Sequence, residues 1–262
     1  MKTINVISVS NAANLGYRAL ADIAKAAVGL DHEEYRIVGG HMVQLLLHVY
    51  PTEAALQRTT ADADAGIKHA TAAGQALHGR LLDQGYEEAK GNHYIRRDKD
   101  QQTEIDLLVP RSGTSKTEIL NGRRFDAIPG LGFALNSTSY LTVDATVHLY
   151  EGGDLRFTVP VPDVEAALIL KALAWKSRKA DKDLADISTL MEIVHEHKVA
   201  LQKWGYADTR LAATGSRKDA AATLHEIVAM VDKRRIQAFR GLQSPAKLSA
   251  LMRKHIPVPL KA

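Results

Sequence analysis

Apolar residues return every three or four positions between 12 and 28, with Leu15, Ala19-Leu20, Ile23 and Ala26-Ala27 on one stripe, and Gly29 closes the run. That period predicts an amphipathic helix, and glycine is the common residue just past a helix end. Tyr35-Arg36-Ile37-Val38 reads as a short strand, after which Gly39-Gly40 turns the chain into an apolar helix that Pro51 stops near Tyr50. A strand is expected at Asp62-Ala63-Asp64, then one amphipathic helix over 66–84, ending before Gly85. Alternating apolar and polar positions predict strands over 92–97, 103–109 and 117–120, the last two separated by the turn Pro110-Arg111-Ser112-Gly113. Residues 123–137 read as a glycine-containing loop, and 145–150 pairs with 154–159 as a hairpin across Glu151-Gly152-Gly153. From Asp163, a good N-cap, the period is helical almost to the end. Residues 163–179 form the first of these helices, Asp181 caps the second, and Ala212–Ser216 is a loop between later ones.

Strands first and helices afterwards predict an α+β fold, a mixed sheet with flanking helices, followed by an all-α C-terminal domain. Pro160-Val161-Pro162 marks the change, so the expected domains are 1–160 and 161–262. A chain of 262 residues with 45% hydrophobic content can bury a substantial core. Cysteine is absent, which excludes disulfides and thiolate metal sites. Asn11, Asn14, Arg18, Asp22 and Lys25 interrupt the apolar stretch that a signal peptide needs. No run approaches the roughly 18 apolar residues of a membrane span. The expectation is a soluble, cytoplasmic monomer without membrane attachment.

The net charge of +4 hides an asymmetry. Residues 198–262 carry 13 Lys and Arg against 4 Asp and Glu, whereas the remaining 197 residues carry 21 against 26. Lys233-Arg234-Arg235, Arg240, Lys247, Arg253 and Lys254 make the densest basic group. An ordinary helical tail with solvated lysines has this composition, and so does a module that grips a polyanion. Trp204, Tyr206 and Phe239 are its only aromatics, so phosphate contacts are a more natural expectation than base stacking.

Candidate chemistry centres on Asp62 and Asp64 in Arg58-Thr59-Thr60-Ala61-Asp62-Ala63-Asp64. Successive side chains of a strand point to opposite faces, so Asp-x-Asp projects both carboxylates one way. Asp106 stands in the apolar strand Ile105-Asp106-Leu107-Leu108-Val109, where an acid needs a partner, and Glu104 shares its face as the local competitor. Three carboxylates on adjacent strands form a cup whose repulsion a cation must relieve. Hard oxygen donors of this kind suit Mg²⁺ or Mn²⁺ with substrate phosphates completing the shell. Asp-x-Asp by itself is common in solvated loops and helix caps. The informative feature is the order of strand, Gly-Gly, apolar helix, Asp-x-Asp and a later strand carboxylate. With no Cβ, Gly39 and Gly40 let backbone amides at a helix start approach a phosphate. Other chemistries find no motif: His195-Glu196-His197 lacks the spacing of a zinc helix, and no Gly-x-Ser-x-Gly, Walker loop or Gly-x-Gly-x-x-Gly strand turn occurs.

That order resembles the nucleotidyltransferase superfamily, and more narrowly the AbiEii group of bacterial toxin–antitoxin components, including the MenT nucleotidyltransferases. The residues carrying the resemblance are Gly39-Gly40 before His41–Leu47, the segment Arg58 to Asp64, Lys171-Ala172-Leu173-Ala174, and Lys182-Asp183-Leu184-Ala185-Asp186-Ile187, within roughly 35–190. Alanines 61, 63 and 65 stand where bulkier strand formers are usual, and His41 where a small hydroxyl residue is common. The resemblance implies a nucleotidyltransferase-type mixed sheet and transfer of a nucleoside monophosphate from an NTP to an RNA 3′ end, with a tRNA as acceptor and a cognate antitoxin as partner. Asp62, Asp64 and Asp106 would hold the metal, Lys171 would bind nucleotide phosphate, and Asp186 would be a further active-site acid. Gly39, Gly40, Arg58, Thr60 and Arg178 would border the nucleotide, and the helical domain would complete its site. Read without the resemblance, Lys171 is a snorkelling lysine, Thr60 a strand former, and Lys182 with Asp186 an i,i+4 surface pair. Two other functions share these motifs, a small-molecule nucleotidyltransferase of the aminoglycoside-modifying kind and a non-catalytic nucleotide-binding module.

Overall fold

In the computed structural model, which describes residues 1–99, 101–201 and 204–259, the chain opens on a strand missing from the sequence reading. β1 (Lys2–Ile7) buries only Ile4 and Val6, a period-two signal too short to stand out. In α1 (Asn11–Ala26), the Ser10 hydroxyl caps the start by accepting the Ala13 N–H at 3.2 Å. β2 (Tyr35–Ile37), α2 (Gly39–Val49) and β3 (Asp62–Ile67) follow as expected. The single helix expected over 66–84 is two, α3 (His69–Gly74) and α4 (Ala76–Asp83). The break is local: Gly74 is a poor helix former, and Gln75 takes the left-handed φ of 56° that ends helices.

β4 (Glu87–Lys90), β5 (His93–Asp98), β6 (Gln101–Pro110) and β7 (Thr117–Leu120) come next. The expected loop over 123–137 is instead β8 (Arg123–Ile128) and α5 (Leu131–Asn136). Phe125, Ala127, Leu131 and Leu135 of this stretch are buried, an apolar spacing that the charges and glycines around it mask in the sequence. β9 (Tyr140–His148) and β10 (Asp154–Pro162) form the expected hairpin with longer arms.

β9 also pairs parallel with β1, giving a three-stranded sheet β1-β9-β10. Pro160 and Pro162 sit on its free edge strand, where a missing N–H is tolerated. The second sheet has seven strands in the order β2-β3-β6-β5-β4, with β8 running parallel to the end of β6 and β7 beyond it. β6 is its spine. Thr103, Ile105, Leu107 and Val109 are buried on one face, while Glu104 and Asp106 lie half-buried on the other. α1 packs across β3 and β6, and a Cβ on Gly16 would collide with the His41 ring of α2 and the Thr60 carbonyl before β3. Small residues suit such an approach, and Ala63 and Ala65 are fully buried. Arg36, buried too, anchors β2 by donating to the carbonyls of His32 at 2.9 Å and Ser137 at 2.7 Å.

These elements form one compact unit, Met1–Val49 with Thr59–Pro162, and the second comprises Tyr50–Arg58 and the chain from Asp163 onward. The second is helical, with α6 (Val164–Arg178), α7 (Asp181–His197), α8 (Thr209–Ala212), α9 (Gly215–Asp232) and α10 (Pro245–His255). Asp163 caps α6 by accepting the Ala166 N–H at 2.8 Å. Asp181 does not cap α7: Ala180 holds that position and Asp181 lies in the first turn, where its charge still favours the helix dipole. Residues 50–58 join this unit through Thr189, whose hydroxyl donates to the Leu56 carbonyl at 3.1 Å. The fold class is therefore the expected one, α+β followed by helices. Among the described residues no helix is long and apolar enough to cross a membrane.

Candidate active site

β3 and β6 run parallel and in register, with Asp62 opposite Glu104 and Asp64 opposite Asp106. Strand periodicity then brings the acids to one face. One carboxylate oxygen each of Asp62, Asp64 and Asp106 lies within 4.8 Å of the others, and all three side chains are half-buried. Among the described residues this is the one such gathering of metal-ligating side chains.

Each acid is held by a different neighbour. The Thr60 hydroxyl donates to Asp62 Oδ1 at 2.7 Å, from the residue pair preceding β3. Asp64 lies against Gly39, which has a φ of 65° at the start of α2, and a Cβ there would collide with the Asp64 carboxylate. The glycine expected to admit a phosphate thus first makes room for an acid. Asp106 Oδ1 meets His93 Nδ1 at 2.9 Å. Glu104, the competitor, turns aside: its Oε1 accepts from Gln102 at 2.6 Å, and its Oε2 lies 3.6 Å from His93 Nε2. Burial raises the Asp106 pKa, His93 opposes the rise, and Asp62 and Asp126 add to it. His93 escaped the sequence reading. The available signal was register, since pairing counted outward from Asp98 and Gln101 sets His93 opposite Asp106.

The donor set fits a hard divalent cation. It is all oxygen, carries three like charges at short range, and contains no sulfur.

The remaining expected site residues lie in the helical unit and are tied to one another. Asp186, buried, takes Lys171 Nζ at 2.6 Å and the Arg58 guanidinium through two bonds of 3.2 Å. Asp183, fully buried, takes Arg178 through bonds of 2.6 and 2.7 Å, with Lys171 4.0 Å away. Three cations and two acids form one chain of ion pairs, in which Arg58 and Arg178 reach solvent and Lys171 does not. In the basic segment, Lys247 pairs with Glu192 at 2.7 Å and Arg253 with Asp232 at 2.6 Å. Lys233, Arg234, Arg235 and Arg240 are exposed.

No family model matches the chain, and no curated protein matches it. Among solved structures the chain is similar to an antigenic nucleotidyltransferase-like protein from Paracoccidioides brasiliensis, at 15% identity and a TM-score of 0.44, over 94% of each chain. It is also similar to the antibiotic-resistance factor ANT(2'')-Ia, at 11% identity and a TM-score of 0.39, over 84% of this chain and 96% of that one. A third similarity is to the STING-associated CdnE c-di-GMP synthase from Capnocytophaga granulosa, at 11% identity and a TM-score of 0.29, over 94% and 81%.

Proposed function

We propose that this chain is a Mg²⁺- or Mn²⁺-dependent nucleotidyltransferase that moves a nucleoside monophosphate from an NTP to the 3′ hydroxyl of an RNA. The observation that carries this reading is the in-register triad Asp62, Asp64 and Asp106 beside the Gly39–Gly40 helix start. A divalent ion held there would neutralise triphosphate charge and acidify the acceptor hydroxyl. Asp62, Asp64 and Asp106 are assigned to holding that ion, with Thr60 fixing Asp62. The acceptor oxygen attacks the α-phosphorus, the bond to the pyrophosphate oxygen breaks, and Asp106 takes the hydroxyl proton. The α2 start at Gly39 and Gly40 offers backbone N–H groups to phosphate oxygens. Within the helical unit Arg58 and Arg178 are the cations of the ion-pair chain that reach solvent, and the resemblance assigns this cluster, Lys171 and Asp186 included, to the nucleotide.

A tRNA acceptor, a toxin role and an antitoxin partner follow from the AbiEii resemblance and belong to the proposal. The exposed Lys233, Arg234, Arg235 and Arg240 favour a polyanionic acceptor. The test is incubation with total RNA and each labelled NTP in Mg²⁺, with Asp64→Asn as control and an aminoglycoside panel in parallel. Label in RNA that Asp64→Asn abolishes supports the reading. Label only in small acceptors replaces the acceptor class, and label in neither rejects nucleotidyl transfer.

A further inference from the structure

We propose that His93 is a positioning residue of the carboxylate cup, holding Asp106 by one oxygen. This rests on the reading of the cup as a divalent-metal site. The geometry is specific. β5 and β6 pair antiparallel from Asp98–Gln101 to His93–Asp106, so the backbone beneath the imidazole is fixed by a continuous ladder. The ring stands between two acids spaced i,i+2 on β6, with Nδ1 2.9 Å from Asp106 Oδ1 and Nε2 3.6 Å from Glu104 Oε2. A donor on Oδ1 stops the carboxylate from flipping about its last torsion and leaves Oδ2 for the cation. Glu104 lacks that bond: its Oε1 accepts from Gln102 at 2.6 Å, and its Oε2 lies 3.6 Å from the ring, beyond hydrogen-bond reach. Register alone offers both Glu104 and Asp106 to β3, opposite Asp62 and Asp64. His93 is the side chain that distinguishes them. Histidines and carboxylates that orient metal ligands from behind affect metal affinity strongly, by about 10–100-fold on removal.

The experiment is a Mn²⁺ titration of the full chain, read by the loss of free-ion paramagnetic signal, for wild type, His93→Asn, His93→Phe and Asp64→Asn. An asparagine Nδ2 can occupy the place of Nδ1, whereas phenylalanine keeps the ring without a donor. His93→Phe is expected to weaken Mn²⁺ binding about 10–100-fold, with His93→Asn close to wild type. At saturating Mn²⁺ the phenylalanine variant should recover most of kcat, because its defect lies in loading. Nitrogen-15 spectra of the metal-free wild type supply a readout without variants or turnover, with the proton expected on Nδ1. Equal Mn²⁺ affinity in His93→Phe and wild type, or a proton on Nε2, overturns the positioning role and leaves the cup reading standing. Absence of Mn²⁺ binding in wild type, matching Asp64→Asn, overturns both.

Discussion

Asp183 and Asp186 are among the most buried acids described, yet each has a cation at 2.6 Å. Asp62, Asp64 and Asp106 are half exposed, and their carboxylates converge on one another. The helical unit closes its field internally, at the desolvation cost of bringing five charges together. In the α+β unit three carboxylates face one another, and the Thr60 and His93 hydrogen bonds are among the contacts that moderate the repulsion. The proposed cation would relieve that repulsion, whereas in the ion-pair chain each acid already faces a cation. One region gathers like charges and the other pairs opposite ones. Substitutions should separate the two by which observable moves.

The largest expected effect is on turnover in the cup. Asp64→Asn should lower nucleotidyl transfer by roughly a thousandfold, the equivalent of several kcal/mol of lost metal-assisted stabilisation. Its melting temperature in EDTA should equal or exceed that of wild type, since one of three like charges is gone. An inactive variant that also melts early would make Asp64 a structural residue.

The ion-pair chain should respond the other way. Asp183→Asn removes a fully buried acid, but Arg178 is half exposed and Lys171 keeps Asp186, so the loss should stay below the about 3–5 kcal/mol of a fully buried pair. Denaturant melts should show that loss. Lys171→Met should fall in the same range, because its 2.6 Å partner Asp186 is buried. If Lys171→Met instead keeps wild-type stability and raises only the KM for NTP, Lys171 binds phosphate directly and the division between the two regions fails.

Much of this contrast was legible in the sequence where the signal is local. Asp-x-Asp, an isolated acid in an apolar strand and a glycine pair before a helix each depend on neighbours within a few residues, and strand periodicity puts the acids on one face. The order of the elements then supplies the α+β fold. What stayed hidden depends on partners distant in the chain. β1 is defined by pairing with β9, about 140 residues later. Lys171 and Asp186, read through the resemblance as a phosphate lysine and a separate active-site acid, sit on different helices, and only packing of α6 on α7 makes them a pair. Arg58, read with the catalytic strand, joins the helical unit through Asp186. The choice between Glu104 and Asp106 needed a third strand, the one that carries His93.

The exposed cations offer a smaller effect, confined to binding. Replacing Lys233, Arg234 and Arg235 together by Gln should flatten the salt dependence of RNA affinity by about two in log–log slope for single strands. Transfer to a small hydroxyl acceptor should be unaffected, because none of the three belongs to the cup. An unchanged slope would show that these side chains are merely solvated.

The smallest expected effect is a pH dependence specific to the cup. Burial holds the Asp106 pKa above its ordinary 3.8 in the folded chain, so the folded state binds this proton more tightly than the unfolded one. Its contribution to stability is therefore fully present below 3.8 and is lost as pH rises through the folded value. Asp106→Asn stays neutral throughout and does not suffer that loss. In EDTA, the stability of Asp106→Asn relative to wild type should rise between pH 4 and pH 8, read as the gap between paired denaturant melts. Saturating Mn²⁺ should reverse the gap at pH 8, because the cation rewards the ionised carboxylate that burial penalises. A gap that is flat in EDTA would mean that His93 compensates the burial of Asp106 in full. A gap that Mn²⁺ leaves unchanged would remove Asp106 from the cup.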